Sequence, residues 1–260
     1  MSTPPDTGMR VVRTALQVLE AVSDLQPVGV SAIARATGIP KSSVQRCLVT
    51  LRETGWLTPS PHQPQRWMLT GRALAVGLRG FAETGLREAA VAVMQDLRDT
   101  TRETIHLTGF GPDHAAEAAA VVIDRLDSPE PVRTWVRLGT RVPLHASASG
   151  RAMLSHLPPD EVDRLLAEPL ERFSDHTLVG RDALAAELAT VRERGYATAE
   201  ESWRSGVGAV AAAVVDADDR PVGALAISVP LQRFDADREH VLGPMVVAAA
   251  ARVIAALHTR

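Results

Sequence analysis

The sequence predicts an α+β protein with an N-terminal winged helix-turn-helix domain and a second domain of helices set against an antiparallel sheet. Three observations carry this. Three helical segments with a glycine-containing turn before the third fill Val11–Glu53. Two Trp-containing runs then flank a proline-rich turn, and past residue 80 β-rich runs alternate with amphipathic helices. The 260 residues exceed what one compact core usually holds, so one large or two modest domains are expected.

Val11, Val12, Ala15, Leu16, Val18, Leu19 and Val22 recur at helical spacing, and Pro27 and Gly29 end that pattern. Ser31 is a suitable N-cap for a helix over Ala32–Thr37, and Gly38 sits where a left-handed stop is wanted. A turn through Ile39 and Pro40 leads into a third helix, Lys41–Glu53, ended by Gly55. At 100° per residue, Val44, Cys47, Leu48 and Leu51 share its inner side, and Ser42, Gln45, Arg46, Val49 and Glu53 point outward. Short donors beside a guanidinium suit a helix that reads base edges, so Lys41, Ser42, Ser43, Gln45 and Arg46 are the candidate DNA-binding residues. A solvated helix face with one arginine fits the same pattern. Trp56-Leu57 and Arg66-Trp67-Met68-Leu69 around Pro59–Pro64 read as the hairpin wing, which offers Arg66 to a phosphate.

A helix over Gly71 to about Ala82 follows, then another over Leu86–Arg102. These place an expected DNA-binding domain at 1–79, a linker or dimerisation helix at about 71–84, and a second domain at 86–260. In the latter, Glu103–Phe110, Ala118–Ile123, Pro131–Leu138, Gly206–Val215 and Pro221–Val229 read as strands. Ser149–Leu157, Pro159–Glu168, Arg181–Arg194 and Asp235–His258 read as helices.

Composition narrows the function. The content is 45% apolar and 23% charged, ordinary for a globular chain. No apolar run long enough to span a bilayer is free of charge, and Met1–Gly8 has no signal-peptide stretch, so a cytoplasmic protein without a membrane partner is expected. One cysteine, Cys47, rules out an internal disulfide and a Cys-only metal site. The net charge of −3 conceals an asymmetry: residues 1–79 carry nine Lys+Arg against four Asp+Glu, and the rest carry 19 against 27. A balance of +5 beside one of −8 suggests a polyanion-binding module joined to a module of another kind.

Several constellations invite enzyme readings. Gly206-Val-Gly-Ala-Val-Ala211 fits a loose dinucleotide fingerprint, but it continues as a β-branched and alanine run rather than opening a helix. Glu200-Glu201 are sequence neighbours and cannot flank one bond as an acid–base pair; one solvated and one structurally bonded carboxylate is the favoured reading. Ser147 and Ser149 near His145 lack a nucleophile elbow's glycine frame, and the eight histidines show no metal-ligand spacing. Neither a metal nor a cofactor is expected. Gly150 opens a helix whose free N–H groups suit a carboxylate, with Ser149 as its N-cap and Arg151 facing either a ligand or solvent.

The chain resembles the IclR family of bacterial transcriptional regulators, from about Val11 to Ala255. The resemblance rests on Gly38-Ile-Pro-Lys-Ser-Ser-Val-Gln-Arg46 and Leu51-Arg-Glu-Thr-Gly-Trp-Leu57 in the first domain. In the second it rests on Pro143-Leu-His-Ala-Ser-Ala-Ser-Gly-Arg-Ala-Met-Leu154, Gly195-Tyr-Ala-Thr-Ala-Glu-Glu201 and Gly206-Val-Gly-Ala-Val-Ala-Ala212. It implies a winged helix on double-stranded operator DNA, a dimerising linker helix, and a GAF-like domain that binds a small effector, often an organic acid. It also implies a homodimer or a dimer of dimers, with a repressor of a catabolic or metabolic operon, released or modulated by a small organic acid metabolite, as the expected role. Carried over residue by residue, the effector pocket would involve Gly150, Arg151, Ala152, Ala199, Val207, Ala209 and Ser228. Two positions depart from the family pattern: Ala213 stands where Pro is frequent, and Arg151 where Lys is frequent. The alternative is an enzyme with an accessory nucleic-acid module.

Overall fold

The computed structural model describes residues 9–82, 85–110, 120–166 and 169–259, with side chains 78–82 left out of the description. The chain divides into two compact units, Met1–Glu83 and Thr84–Arg260. Ala118, Glu168 and Thr84, each named in an expectation above, lie outside the described residues.

The first unit holds α1 (Arg10–Leu25), α2 (Val30–Thr37), α3 (Lys41–Glu53), the hairpin β1 (Leu57–Pro59) and β2 (Trp67–Leu69), and α4 (Gly71–Ala82). Its core joins Val18 and Val22 of α1, Ile33 of α2, Val44, Leu48 and Leu51 of α3, and Leu57 and Trp67 of the hairpin. The apolar period of each helix therefore converges on one cluster. Gly38 is left-handed, φ 70°, which lets α2 stop and α3 restart within three residues. The expected cap is corrected: α2 starts at Val30, two residues earlier, because the extended Gly29 offers its carbonyl to Ala32 and Ile33 N–H at 3.0 and 3.2 Å. Ser31 lies inside the helix. The wing is antiparallel, with Leu57 opposite Leu69, and a bridge between Val28 and Trp67 ties it to the segment before α2.

The second unit is built on one six-stranded antiparallel sheet in the order β5-β4-β3-β8-β7-β6. These strands are β3 (Thr104–Phe110), β4 (Ala120–Leu126), β5 (Arg141–Val142), β6 (Ala197–Glu200), β7 (Val207–Val215) and β8 (Pro221–Pro230). Side-chain alternation gives the central strands two unlike faces. Ile105, Leu107, Val210, Val214, Leu225 and Ile227 pack against α5 (Leu86–Thr101) and α9 (Ala236–His258) in the main core. The opposite face carries Thr104, His106, Thr108, Ala209, Ala211, Ala213, Ala224, Ala226 and Ser228. Small and polar residues there leave room for α6 (Ala148–Leu154) to settle on Ala197, Ala211 and Ala213. Beyond it lie α7 (Pro159–Leu165) and α8 (Arg181–Arg194). The helix α9 is long and apolar enough to cross a membrane by length and composition. Its Leu242, Val246, Ala249 and Val253 are instead packed into the sheet core.

Two further expectations need correction. Pro131–Leu138 is not a strand. Side chains take over the ladder's role: Thr104 Oγ1 donates to the Thr134 carbonyl at 3.1 Å, Thr134 Oγ1 to the Ser228 carbonyl at 3.1 Å, and Arg125 Nη1 to the Val136 carbonyl at 2.6 Å. The helix expected over Ser149–Leu157 starts at Ala148, and its cap is Ser147, whose hydroxyl accepts from the Gly150 N–H at 3.0 Å.

Candidate functional site

In the first unit, Lys41, Ser42, Gln45 and Arg46 are exposed along α3 and Ser43 is half-buried. Val44 and Leu48 are fully buried on the opposite side, so the helix presents its polar stripe outward. Arg66 is exposed at the start of the wing strand, where its Nη1 donates to the Pro27 carbonyl at 3.0 Å. An open cleft of about 700 Å³ runs past Ser31, Arg35, Gln45, Gln65 and Arg66. Arg35 and Gln65 escaped the sequence reading. Arg35 sits in the last turn of α2 on an exposed face, a position that helical spacing could have exposed. A wall of guanidinium and amide donors of this kind fits the edge and backbone of a nucleic acid.

In the second unit a cavity of about 230 Å³ lies on the small-residue face of the sheet. A space of this size has room for a small metabolite. Its floor is laid by strand register. Ser228 stands between Thr104 and Ala209, and the next row of the pleat sets Ala226 between His106 and Ala211. Of these, His106, Ala209, Ala226 and Ser228 line the space, with Ala199 of β6 opposite Ala209. The first turn of α6 and the irregular segment through Thr134–Val136 form two walls, and the loop Trp203–Ser205 with Val207 forms another.

Four sequence-predicted residues, Ala199, Val207, Ala209 and Ser228, meet at this cavity, and Gly150, Arg151 and Ala152 do not. Gly150 is required for packing: a Cβ there would come within 2.3 Å of the Leu144 carbonyl oxygen. Arg151 faces neither a ligand nor solvent. It is 5% exposed, and its Nε and Nη1 donate to the carbonyls of His145 and Thr198 at 2.8 and 3.0 Å. Ala152 packs in the alanine layer between α6 and the sheet.

The residues that sequence reasoning missed are the polar ones. His106 is 5% exposed, its Nε2 is buried, and among the described residues that atom has no hydrogen-bond partner. Burial, with Arg125 and Arg204 nearby, lowers its pKa to about 4, so the imidazole is neutral at pH 7. Arg204 lies over the Trp203 ring at 4.4 Å and reaches the Trp135 carbonyl at 3.4 Å. Desolvation lowers its pKa, yet a guanidinium stays charged and gives the cavity a cation. Glu201 is committed to its own loop. Its Oε1 accepts from the Gly206 N–H at 2.6 Å and the Ser205 hydroxyl at 3.0 Å, bonds that hold its carboxyl below the usual range. Glu200 is exposed, matching the reading of one structural and one solvated carboxylate.

The enzyme-like constellations dissolve in the same geometry. Val207–Val215 runs as a strand into another strand, so the fingerprint glycines do not precede a helix. Gly208 is instead where the Phe234 ring approaches, 2.2 Å from a would-be Cβ. His145 Nε2 lies 2.8 Å from the Glu171 carbonyl, Ser147 caps α6, and Ser149 accepts from Thr108 at 3.3 Å. No group of three metal-ligating side chains occurs among the described residues.

Comparison with known proteins decides the family. Residues 11–61 match the IclR helix-turn-helix domain, and residues 80–255 match the bacterial transcriptional regulator IclR C-terminal domain. The chain belongs to the IclR family. It is a DNA-binding transcriptional regulator of α+β architecture, from a family of regulators rather than enzymes. The chain is similar to the regulator BhcR of Paracoccus denitrificans, 31% identical over 94% of this chain and 85% of that one. It is also similar to the acetate operon repressor of Salmonella typhimurium, 30% identical over 97% and 92%. An IclR homologue of Microbacterium hydrocarbonoxydans, solved with 4-hydroxybenzoate, shares the fold at TM-score 0.78 with 24% identity, covering 96% of this chain and all of that one.

Proposed function

We propose that this IclR-family regulator is a repressor whose hold on operator DNA is set by a small organic acid in the cavity of its second unit. The observation that carries this reading is Arg204, a cation on the wall of a largely apolar space of metabolite size. A carboxylate there gains a charge-assisted partner, and Val122, Val136, Val142 and Trp135 enclose the apolar body. The bound acid of the Microbacterium homologue and the repressor name of the Salmonella relative support the same reading.

On the DNA side, Lys41, Ser42, Ser43, Gln45 and Arg46 of α3 enter the major groove, and Arg66 meets backbone phosphate. Leu74 and Val76 of α4 are 64% and 51% exposed, more apolar surface than a lone linker should show, and they pair two copies across a two-fold axis. Those two copies match a pseudo-palindromic site, as a dimer or a dimer of dimers, in the cytoplasm. The test is to select bound DNA from a random pool and titrate the complex with organic acids. Release by at least one acid is expected. Selected sites without two-fold symmetry, or a complex indifferent to every acid, would overturn the reading.

A further inference from the structure

A second cavity, of about 250 Å³, lies between α7 and α8 and shares no lining residue with the first. Its depth is apolar. Leu184 and Leu188, on the inner side of α8, are 3% and 4% exposed, and Val162 of α7 and Leu166 complete the wall. The three leucines belong to the same cluster as Met153 and Leu154 of α6, so the space opens into packed core. Close-packed interiors leave few voids larger than a water, and an apolar cavity of roughly 150 Å³ already takes up benzene. Charge is confined to the rim. Asp163 and Arg181 pair at 3.2 Å, and Arg181 Nη2 donates to the Leu166 carbonyl at 2.8 Å. Arg192 is held differently: its Nε donates to the Ser155 carbonyl at 2.6 Å, at the C-terminal end of α6. No carboxylate pairs with it among the described residues. The residue is exposed, so its two terminal nitrogens can turn to an anion at the mouth.

The geometry points to this cavity as a second ligand site, for a small apolar monocarboxylate whose body lies against Leu184 and Leu188 and whose carboxylate pairs with Arg192. The site is independent of the effector reading of the first cavity. Each part of the ligand class follows from the lining. Apart from Asp163, Arg181 and Arg192, every lining side chain is apolar, so the hydroxyls of a sugar would lose water without gaining partners. The carbonyls of Leu166 and Ser155 already accept from the two arginines. An amine would meet Arg181 and Arg192, with only the already paired Asp163 in its favour. A second carboxylate would find no second cation without a partner. One anionic group on an apolar body satisfies both the rim and the depth.

The test is titration calorimetry on the full-length chain carrying Ala209→Leu, which fills the first cavity. The probes are benzoate, phenylacetate, cyclohexanecarboxylate and hexanoate, each against its neutral primary amide. At least one acid should bind, roughly ten-fold or more tighter than its amide. Adding Arg192→Gln should bring the acid and its amide to nearly equal affinity. Adding Ala185→Trp should abolish binding; Ala185 is exposed on α8 at the rim, so the new ring closes the mouth without entering the core. Silence from every acid overturns the proposal, as does binding that survives Ala185→Trp. A preference for the acid that survives Arg192→Gln overturns it too. If Ala209→Leu does not fold, the otherwise wild-type chain serves: Ala185→Trp must then remove one bound acid per chain, and an unchanged stoichiometry overturns the proposal. With the first cavity filled, these outcomes leave the effector reading untouched, and that reading is tested separately with Ala209 in place.

Discussion

Glu103 and Arg233 meet through two hydrogen bonds, Nε to Oε1 at 3.1 Å and Nη2 to Oε2 at 2.8 Å, joining the start of β3 to the turn after β8. The carboxylate is 4% exposed and the guanidinium 36%, so the two ends of the pair are unequal. Arg238, 3.7 Å away at the start of α9, adds a second cation.

That inequality sets the first prediction. Arg233→Met strands a buried carboxylate with only the distant Arg238, and should cost about 3 kcal/mol. Glu103→Gln leaves a half-exposed arginine that can turn to water, and should cost about 1 kcal/mol. Urea unfolding of both variants checks the order; a larger loss in Glu103→Gln would mean that the charge of Glu103, not its pairing, is what matters.

The second prediction concerns pH. His106 has a pKa of about 4 when folded against 6.5 unfolded, with burial as the main cause. Above pH 6.5 neither state binds the proton and the full stability is present. As pH falls from 6.5 toward 4 the unfolded chain takes up the proton first, so folding weakens, by about 2 kcal/mol at pH 5. His106→Phe lacks that loss. The gap in melting temperature between variant and wild type should therefore widen from pH 7.5 to pH 5; a constant gap would show that His106 titrates alike in the folded and unfolded protein.

How much of this was legible depended on whether a feature is local. The helix-turn-helix was readable because Gly38, Pro40 and Gly55 punctuate it and Val44, Leu48 and Leu51 repeat at helical spacing. The strand β7 was readable as a strand, but not which alanines it would bury: Ala211 and Ala213 lie under α6, whereas Ala209 opens to the cavity. Arg151 could not be placed, because its partners are carbonyls six and 47 residues away. Ser147 and Ser149 stand in one Ser/Ala run, and only the backbone path from Pro143 decides which one caps. His106 gave no signal at all, since its bare Nε2 depends on how β3 packs between β4 and β8, strands brought together from distant parts of the sequence.

DNA contact gives the third prediction. Arg46→Ala should cost roughly 1–3 kcal/mol of operator affinity if Arg46 reads a base. Arg66→Ala should weaken all sequences alike and lower the salt slope by roughly one. Gel-shift titrations at several salt concentrations separate the two, and unchanged affinity in Arg46→Ala would remove α3 as the reading helix.

The fourth concerns assembly. Leu74→Glu and Val76→Glu place charge on the exposed apolar stripe of α4 and should shift the protein toward monomer in sedimentation at micromolar concentration. A wild type that is already a stable monomer there would contradict the pairing. The same holds if both variants sediment as the wild type does.

The most direct test of the link between cavity and operator is the response of Ala209→Leu. Ala209 lies on the cavity floor beside Ser228 in the second unit, and a leucine there fills the space an effector needs. Operator affinity should be measured for wild type and variant, with and without an acid that releases the wild type. The account predicts equal affinity without the acid and a response lost only in Ala209→Leu. A variant released as readily as the wild type would contradict it.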